Sequence, residues 1–214
     1  LSTEILAEIN REVIRTIGRT AKYEDIEGAT VSAGQEVINS QFDASTVGTA
    51  TGRWNIEIYQ SLAFQLEKSA NKIATDTRRG KGNFAIVSPN VASALAGAGK
   101  LTFGGDKSLN VDATGNTFAG LLNGALKVYV DPYATKDYAI VGYKGSNAYD
   151  AGLFYCPYVP LTMVRAVGES SFQPKIAFKT RYGMQANPFV TTTDNTVGAA
   201  NSNQYYRVFG VTGL

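Results

Sequence analysis

The side chains that could act as an acid, a base or a nucleophile are few in this sequence. None of the 214 residues is histidine, which removes the usual general base for a serine or cysteine nucleophile and the commonest transition-metal ligand. Glu24 and Asp25 form an acidic pair, but adjacent carboxylates in a loop are more often solvated than arranged as acid and base. Cys156 is the only cysteine and lies in a β-forming run, so it is interpreted as structural filler rather than as a reactive thiol. The sequence therefore predicts no enzyme, no cofactor and no metal site.

One glycine-rich stretch has part of a phosphate-binding loop. Residues 97–100 read GAGK. The phosphate loop needs a further glycine five residues before its Gly-Lys pair and a serine or threonine after it. This sequence has Ala94 and Leu101 at those positions, so nucleotide binding is not expected.

Two groups of basic residues are the remaining candidates for a functional surface. Arg78, Arg79 and Lys81 follow a predicted helix, where they would complement its dipole and cap or, alternatively, contact a partner. In the second group the side chains alternate along a predicted strand, which gives one packed face and one basic face. The packed face is expected to hold Ile176, Phe178, Thr180 and Tyr182, and the basic face Lys175, Ala177, Lys179 and Arg181.

Two predicted amphipathic helices dominate the first half of the chain. Apolar residues recur every fourth position from Ile5 to Ile17, which predicts a helix over residues 1–17 that ends at Gly18 and packs on the late strands through Ile5, Ile9 and Val13. A second helix is predicted from Trp54, with an apolar stripe of Trp54, Ile58, Leu62, Leu66, Ala70 and Ile73.

The rest of the chain predicts mainly strands and loops. A short helix is expected from Pro89 to residue 95, followed by a glycine-rich stretch up to Gly124. Strands are predicted at 84–87, 126–130, 138–143, 152–160, 175–184 and 205–209, loops with short edge strands at 20–53, and a loop at 187–203. This order of elements favours an α+β fold over alternating βαβ units.

Composition excludes several classes of protein. Hydrophobic residues make up 44% of the chain, and 20 basic residues face 18 acidic ones, a formal net charge of +2. A chain of this kind is not disordered throughout and has no general attraction for nucleic acid. The sequence shows no stretch of membrane-span length and no secretory leader. Because it opens on Leu1 within a helical pattern, we expect it to begin inside a longer polypeptide.

Several sequence blocks carry a resemblance to a known family. The blocks FYCPYVPLT, FQP and FKTRYG, with NPF following, lie within residues 152–189, and this run closely resembles the C-terminal part of the major capsid proteins of T-even and related tailed bacteriophages. Residues 1–17 look like the spine helix of that family. The resemblance extends through GRWNIEIYQSLAFQLEKSANKIATDTRRGKGNFAIVSPNVASAL and LKVYVDPYATKDYAIVGYKG.

The resemblance implies a fold and a domain division. The fold would be the α+β fold of tailed-phage major capsid proteins, with a spine helix and long sheet in a peripheral domain and an inserted axial domain. Residues 1–52 and 145–190 would form the peripheral domain and residues 53–144 the axial domain. Residues 191–214 would be a loop and a closing C-terminal strand.

It also implies a function and partners. The protein would be a structural subunit of a phage head, located in the virion and assembled in the host bacterial cytoplasm. It would self-assemble into hexamers that enclose double-stranded DNA, touching that DNA at most weakly and without sequence specificity. Other partners would be the vertex capsid protein, decoration and scaffolding proteins and the portal, with no membrane. Contacts between subunits or facing the lumen are expected to include Arg78, Arg79, Lys81, Lys175, Lys179 and Arg181.

Two alternatives stay open. The vertex paralogue that forms pentamers in the same shells would look much the same in sequence. From a different class, an aromatic-rich β module that binds a ligand would use the 12 Tyr and 10 Phe residues for stacking.

Overall fold

The structure is a computed structural model that describes residues 2–24, 41–43, 54–102, 117–170, 172–187 and 202–214. Three helices and ten strands lie in these ranges. The helices are α1 (Ser2–Thr20), α2 (Asn55–Thr77) and α3 (Pro89–Gly97). The strands are β1 (Ala21–Tyr23), β2 (Gln41–Asp43), β3 (Phe84–Val87), β4 (Leu101–Thr102), β5 (Thr117–Leu122), β6 (Leu126–Val130), β7 (Tyr138–Gly142), β8 (Leu153–Val167), β9 (Pro174–Ala186) and β10 (Asn203–Thr212).

Eight of these strands form one mixed main sheet. Its order is β1-β10-β7-β3-β6-β5-β4, and β2 pairs with the end of β10. The three pairings β10–β7, β3–β7 and β5–β6 are antiparallel, whereas β1–β10 and β3–β6 are parallel. β8 and β9 pair only with each other in the described part of the chain, as a separate two-stranded ribbon.

Alternate residues of the central strands face two different cores. In β7, Val141 packs with α2 and α3 whereas Ile140 packs with α1, and in β10 the same division separates Phe209 from Val208. Successive side chains of a strand point to opposite faces. The main sheet is therefore the middle layer, with α1 on one face and α2 with α3 on the other.

The helix α1 differs from its prediction at its end and in its buried face. It continues through Gly18 to Thr20, whose hydroxyl donates to the Thr16 carbonyl at 2.8 Å. Its most buried large side chains are Ile14 and Ile17, which pack near Ile140 and Val208, while Ile5, Ile9 and Val13 are half-buried. The expected packing on late strands is confirmed at β9 and β10. The four-residue spacing identified the helix and its buried Ile17, but it placed Val13 rather than Ile14 on the face that the sheet covers.

The helix α2 follows its predicted stripe except at the first residue. Leu62, Leu66, Ala70 and Ile73 are fully buried, and each such Leu or Ile stabilises the fold by about 2 kcal/mol. Trp54 is 76% exposed because it precedes the helix as an extended residue. At the other end Arg78 is left-handed, with φ 54°, and its N–H donates to the Ala74 carbonyl at 2.9 Å. This confirms the predicted helix end.

Most strands were predicted. The full lengths of two strands and the pair β4 and β5 were not. β8 and β10 are longer than expected, and β5 with β4 lies partly within the stretch expected to be a glycine-rich loop. The predicted loops fall largely on residues 25–40, 44–53 and 188–201, outside the described residues. The strand β5 was missed because Gly120, with φ 146°, sits at an irregularity in its pairing with β6 and interrupts the apolar alternation.

A buried ion cluster joins three distant parts of the chain. The Arg207 Nη1 atom of β10 lies 2.9 Å from Glu24 Oε2, and Arg207 also pairs with Asp76 of α2. Arg207 and Glu24 are 1% and 0% exposed. The interpretation of Glu24 as a solvated loop acid is therefore wrong, because a buried arginine 183 positions away takes it out of water. Asp25 lies outside the described residues.

The strand β10 crosses the predicted domain boundaries. It pairs with β7, from residues 53–144, and with β1, from residues 1–52. The division into peripheral and axial domains stays a prediction.

Candidate interaction surface

The ribbon of β8 and β9 is the most exposed element among the described residues. Its register runs from Leu153 opposite Ala186 to Val167 opposite Pro174, a length of about 45 Å at the rise of an extended strand. Most of its side chains are exposed. Because a two-stranded sheet is only marginally stable by itself, the ribbon depends on contacts outside its own strands.

One face of β9 is partly covered by α1. Phe178, Thr180 and Tyr182 are half-buried, and the Tyr182 hydroxyl donates to the Glu12 carboxylate of α1. That hydrogen bond, together with burial, raises the pKa of Tyr182 to about 12. Ile176, however, is 60% exposed. The alternation predicted for β9 is confirmed, but the expected packed face is wrong at Ile176, because the cover given by α1 does not reach that end of the ribbon.

The opposite face of β9 carries the predicted cations. Lys175, Lys179 and Arg181 are all exposed. In the described part of the chain, no carboxylate oxygen lies within 4.0 Å of any of them. The facing residues of β8 are neutral: Ala166, Thr162 and Val159. Like charges on one strand face repel, and among the described residues no nearby acid compensates the charges of this face.

Two of the three cations after α2 have acidic partners in their own chain. Arg79 Nη1 lies 3.5 Å from Asp150, and Lys81 pairs with Glu67. Arg78 is the C-terminal cap of α2. The structure thus gives these three residues local roles at a helix end, in contrast to the unpaired cations of β9.

Sequence reasoning overlooked a fourth cation on the ribbon. Arg165 of β8 lies opposite Ile176 and is exposed. Neither β8 nor β9 contains an acidic residue, so the two strands together carry four positive charges and no negative one. Counting charge by segment, rather than over the whole chain, would have found this asymmetry.

A polar network fixes the ribbon to the main sheet at its root. The Asp150 carboxylate accepts hydrogen bonds from the Tyr143 and Tyr205 hydroxyls at 3.2 and 3.1 Å. Burial, and then the bond to Asp150, raises the pKa of both tyrosines. The Asn187 and Asn203 amides donate to the carbonyls of residues 151 and 152 at 3.0 and 2.7 Å. The root is therefore held by five side chains, whereas the far end of the ribbon is free of such bonds to the main sheet among the described residues.

The structure also shows where Cys156 and residues 97–100 lie. Cys156 lies in β8 as expected but is exposed. The stretch at 97–100 lies at the C-terminal end of α3, where the helix dipole is negative and disfavours phosphate.

The described residues contain no group of three His, Cys, Asp or Glu side chains that could hold a metal ion. Within the same residues, no helix is both long enough and apolar enough to cross a membrane.

Comparison with known proteins gives the family. The family described as Major capsid protein Gp23 matches residues 1–211. The major capsid protein of Salmonella phage ViI is 45% identical over 96% of this chain and 47% of its own length. That of Serratia phage KSP90 is 48% identical over 90% of this chain and 42% of its own length. The chain thus spans about half the length of the curated relatives that it matches.

A solved structure gives the fold. A chain from Mycobacterium phage Che8 aligns with a TM-score of 0.52 at 13% identity, over 97% of this chain and 60% of that one. At this identity the likeness concerns the fold alone, and it supports the expected α+β fold of tailed-phage capsid proteins.

A vertex protein is a more distant relative. The capsid vertex protein of Enterobacteria phage T4 is 27% identical over 91% of this chain, against 45% and 48% for the two major capsid proteins. With residues 1–211 matched and these identities, the chain belongs to the Major capsid protein Gp23 family.

Proposed function

We propose that this chain is part of a structural subunit that associates with copies of itself to form the shell of a phage head around double-stranded DNA. The match of residues 1–211 to a major capsid family carries this proposal. The exposed ribbon supports it, since large apolar side chains exposed on such an element mark interaction sites. On the ribbon these are Tyr155, Tyr158, Met163, Val164, Val167 and Ile176.

The proposal includes the hexamer as the unit of assembly. The higher identity to major capsid proteins than to the vertex protein favours the hexamer former over the pentamer former. The remaining partners proposed are the vertex capsid protein, decoration and scaffolding proteins and the portal. The subunit would reside in the virion after assembly in the host cytoplasm, and it would have no catalytic activity.

Many weak contacts would hold such a shell together. Each subunit of a closed lattice touches several neighbours at once, so modest interfaces become stable through effective concentration while errors still dissociate. The six cations named above are proposed to include contacts between subunits or toward the lumen. Their positions favour the β9 group, because Arg79 and Lys81 already have acidic partners in their own chain.

Electron microscopy of the full-length protein in negative stain tests the function. We expect hexagonal sheets, tubes or shells at high protein concentration. Monodisperse single subunits that bind a glycan or peptide array would instead support the aromatic-rich binding module and contradict the proposal.

Charge reversal tests the β9 cations separately. Lys179→Glu with Arg181→Glu should change the extent and the salt dependence of assembly in light scattering. Each exposed pair contributes under about 1 kcal/mol, so the effect depends on repetition over the lattice. Reversal of Lys100, an exposed lysine outside the ribbon, is the control. Assembly identical to the parent at every salt concentration would show that the β9 cations are merely solvated.

A further inference from the structure

The ribbon ends in a turn that holds an aromatic ring outward. The Phe172 N–H donates to the Gly168 carbonyl, and the Gly168 N–H donates to the Gln173 carbonyl, both at 2.9 Å. Phe172 has φ 51° and is 83% exposed. A bulky side chain in the left-handed region is uncommon and costs free energy. The turn thus keeps a strained backbone while exposing a large apolar group, which the other described residues leave uncovered.

The same turn carries a negative charge. Glu169 is exposed, and in the described part of the chain no lysine or arginine nitrogen lies within 4.0 Å of its carboxylate. We call Glu169 and Phe172 the ribbon tip. It combines one aromatic ring with one unpaired carboxylate, at the end of an element that is otherwise positively charged.

A groove elsewhere on the molecule has complementary properties. It lies between α1, the turn after β6 and the end of β10, and has a volume of about 730 Å³. This is within the range of about 300–1,000 Å³ that is typical of ligand pockets. Its apolar lining includes Ile14, Ile140 and Val208 on the α1 face of the main sheet and the ring of Tyr133, which is 46% exposed. They offer an apolar surface to an aromatic ring.

The charged residues of the groove leave a positive surplus. Its lining includes the three cations Arg11, Arg15 and Lys136 and the two carboxylates Asp131 and Asp137, a net formal charge of 3 − 2 = +1. Both carboxylates already accept hydrogen bonds from uncharged groups: Asp131 from Tyr138, and Asp137 from Ser88 and Asn90.

One of these cations has no acidic partner among the described residues, and a second shares one. Lys136 is exposed and has no carboxylate within 4.0 Å among the described residues. Arg15 lies 3.5 Å from Glu8, a carboxylate that it shares with Arg11 at 2.8 Å.

We propose that the ribbon tip of one copy docks into this groove of a second copy, with Phe172 on the apolar side chains and Glu169 beside Lys136 and Arg15. The inference rests on the proposed self-association and names one contact within it. The two surfaces differ, so the contact is heterologous, and a pair of copies joined by it keeps one free tip and one free groove. Such a contact propagates from copy to copy, as a ring or lattice requires.

Photo-crosslinking of the full-length protein tests the contact. Benzoylphenylalanine in place of Phe172 should crosslink two copies, and peptide mapping should place the new bond within residues 131–140 or 11–18. The same photoreactive group in place of Tyr158, which is 82% exposed on the same ribbon, is the matched control and should give a different map.

Charge exchange gives a second test that is independent of crosslinking. Glu169→Lys or Lys136→Glu alone should raise the concentration for half-maximal assembly, and the two together should restore part of the loss. Lys127→Glu on β6, an exposed lysine outside the groove lining, should have no such coupling to Glu169→Lys. Phe172→Asn removes the ring while suiting the left-handed backbone, and should raise that concentration by about tenfold, the scale of a strong interface residue.

The outcomes separate this contact from the general function. Crosslinks in the groove with charge rescue support the docking. Assembly that proceeds with crosslinks elsewhere, or within one copy, and without rescue overturns the docking but leaves the shell function intact. If the parent protein forms no assembly at any concentration, both are overturned.

Discussion

The main sheet and the ribbon place the same residue types in opposite environments. Phe209 of β10 is fully buried, whereas Phe172 at the ribbon tip is 83% exposed. Arg207 contacts two carboxylates, whereas Arg181 of β9 has none within 4.0 Å among the described residues. These two residues of the main sheet are thus covered and paired within one chain, whereas the two from the ribbon are not, among the described residues. The first region explains stability, and the second explains why copies would associate.

The largest expected difference concerns the two phenylalanines. Phe209→Ala should lower the free energy of unfolding by about 4 kcal/mol, because it leaves a cavity in the core between α2 and the sheet. Phe172→Ala should change it by less than about 0.5 kcal/mol. Urea unfolding followed by tryptophan fluorescence measures both. Equal losses for the two variants would contradict the contrast between the regions.

The two arginines should differ by a little less. Arg207→Met leaves Glu24 buried without its main partner, which costs about 3 kcal/mol. Lys72, 3.5 Å from Glu24, and Lys22, 3.6 Å from Asp76, limit the loss. Arg181→Met is the matched control and should stay within about 0.5 kcal/mol of the parent. A neutral Arg207→Met variant would show that the buried cluster adds no stability.

Two glycines at and near the ribbon's root sharpen the comparison. A Cβ atom at Gly152, in the root, would lie 2.6 Å from Tyr205 Cβ and 2.6 Å from Tyr206 Cε2. Gly152→Ala should therefore cost about 1–3 kcal/mol through overpacking. At Gly183, on β9, the same atom would meet nothing within 4 Å, so Gly183→Ala should be nearly neutral. Hydrogen exchange of residues 138–143 would report whether the damage spreads to the main sheet.

The smallest expected effect is a pH dependence where the two regions meet. The pKa of Tyr182 is raised to about 12 from the usual 10.0. A raised pKa in the folded protein means that the bond to Glu12 stabilises fully below pH 10 and is lost as the pH rises toward 12. Tyr182→Phe should remove one tyrosine ionisation near pH 12 from an absorbance titration and make exchange at α1 less dependent on pH in that window. Tyr158→Phe, on the exposed part of the ribbon, should preserve that ionisation.

The sequence predicted the helices and strands better than it predicted the residues that pack against them. The apolar stripe of α2 and the alternation of β9 follow from local periodicity, and both are confirmed. The partner of Glu24 could not be predicted, because Arg207 is 183 positions away. The exposure of Ile176 was missed for a related reason: alternation shows that one face is apolar, but it does not show how far α1 extends over that face.

The candidate surface, too, was predicted only where it depends on local sequence. The β9 cations were predicted as a group on one face, and the structure places them there. Arg79 and Lys81 looked equally unpaired in the sequence, and only the fold brings Asp150 and Glu67 to them. The groove lining combines α1, the turn after β6 and the end of β10, so no local pattern could indicate it.

The position of β10 has a consequence for the order of events during synthesis. This strand is made after every other described strand, yet it lies within the sheet between β1 and β7. Neither core can close until residue 212 has left the ribosome. The ribbon strands are adjacent along the chain and can pair earlier. At about 5–20 residues per second, the nascent chain would carry a formed ribbon and an open core for a few seconds, an interval in which weak contacts between neighbouring nascent chains must remain reversible.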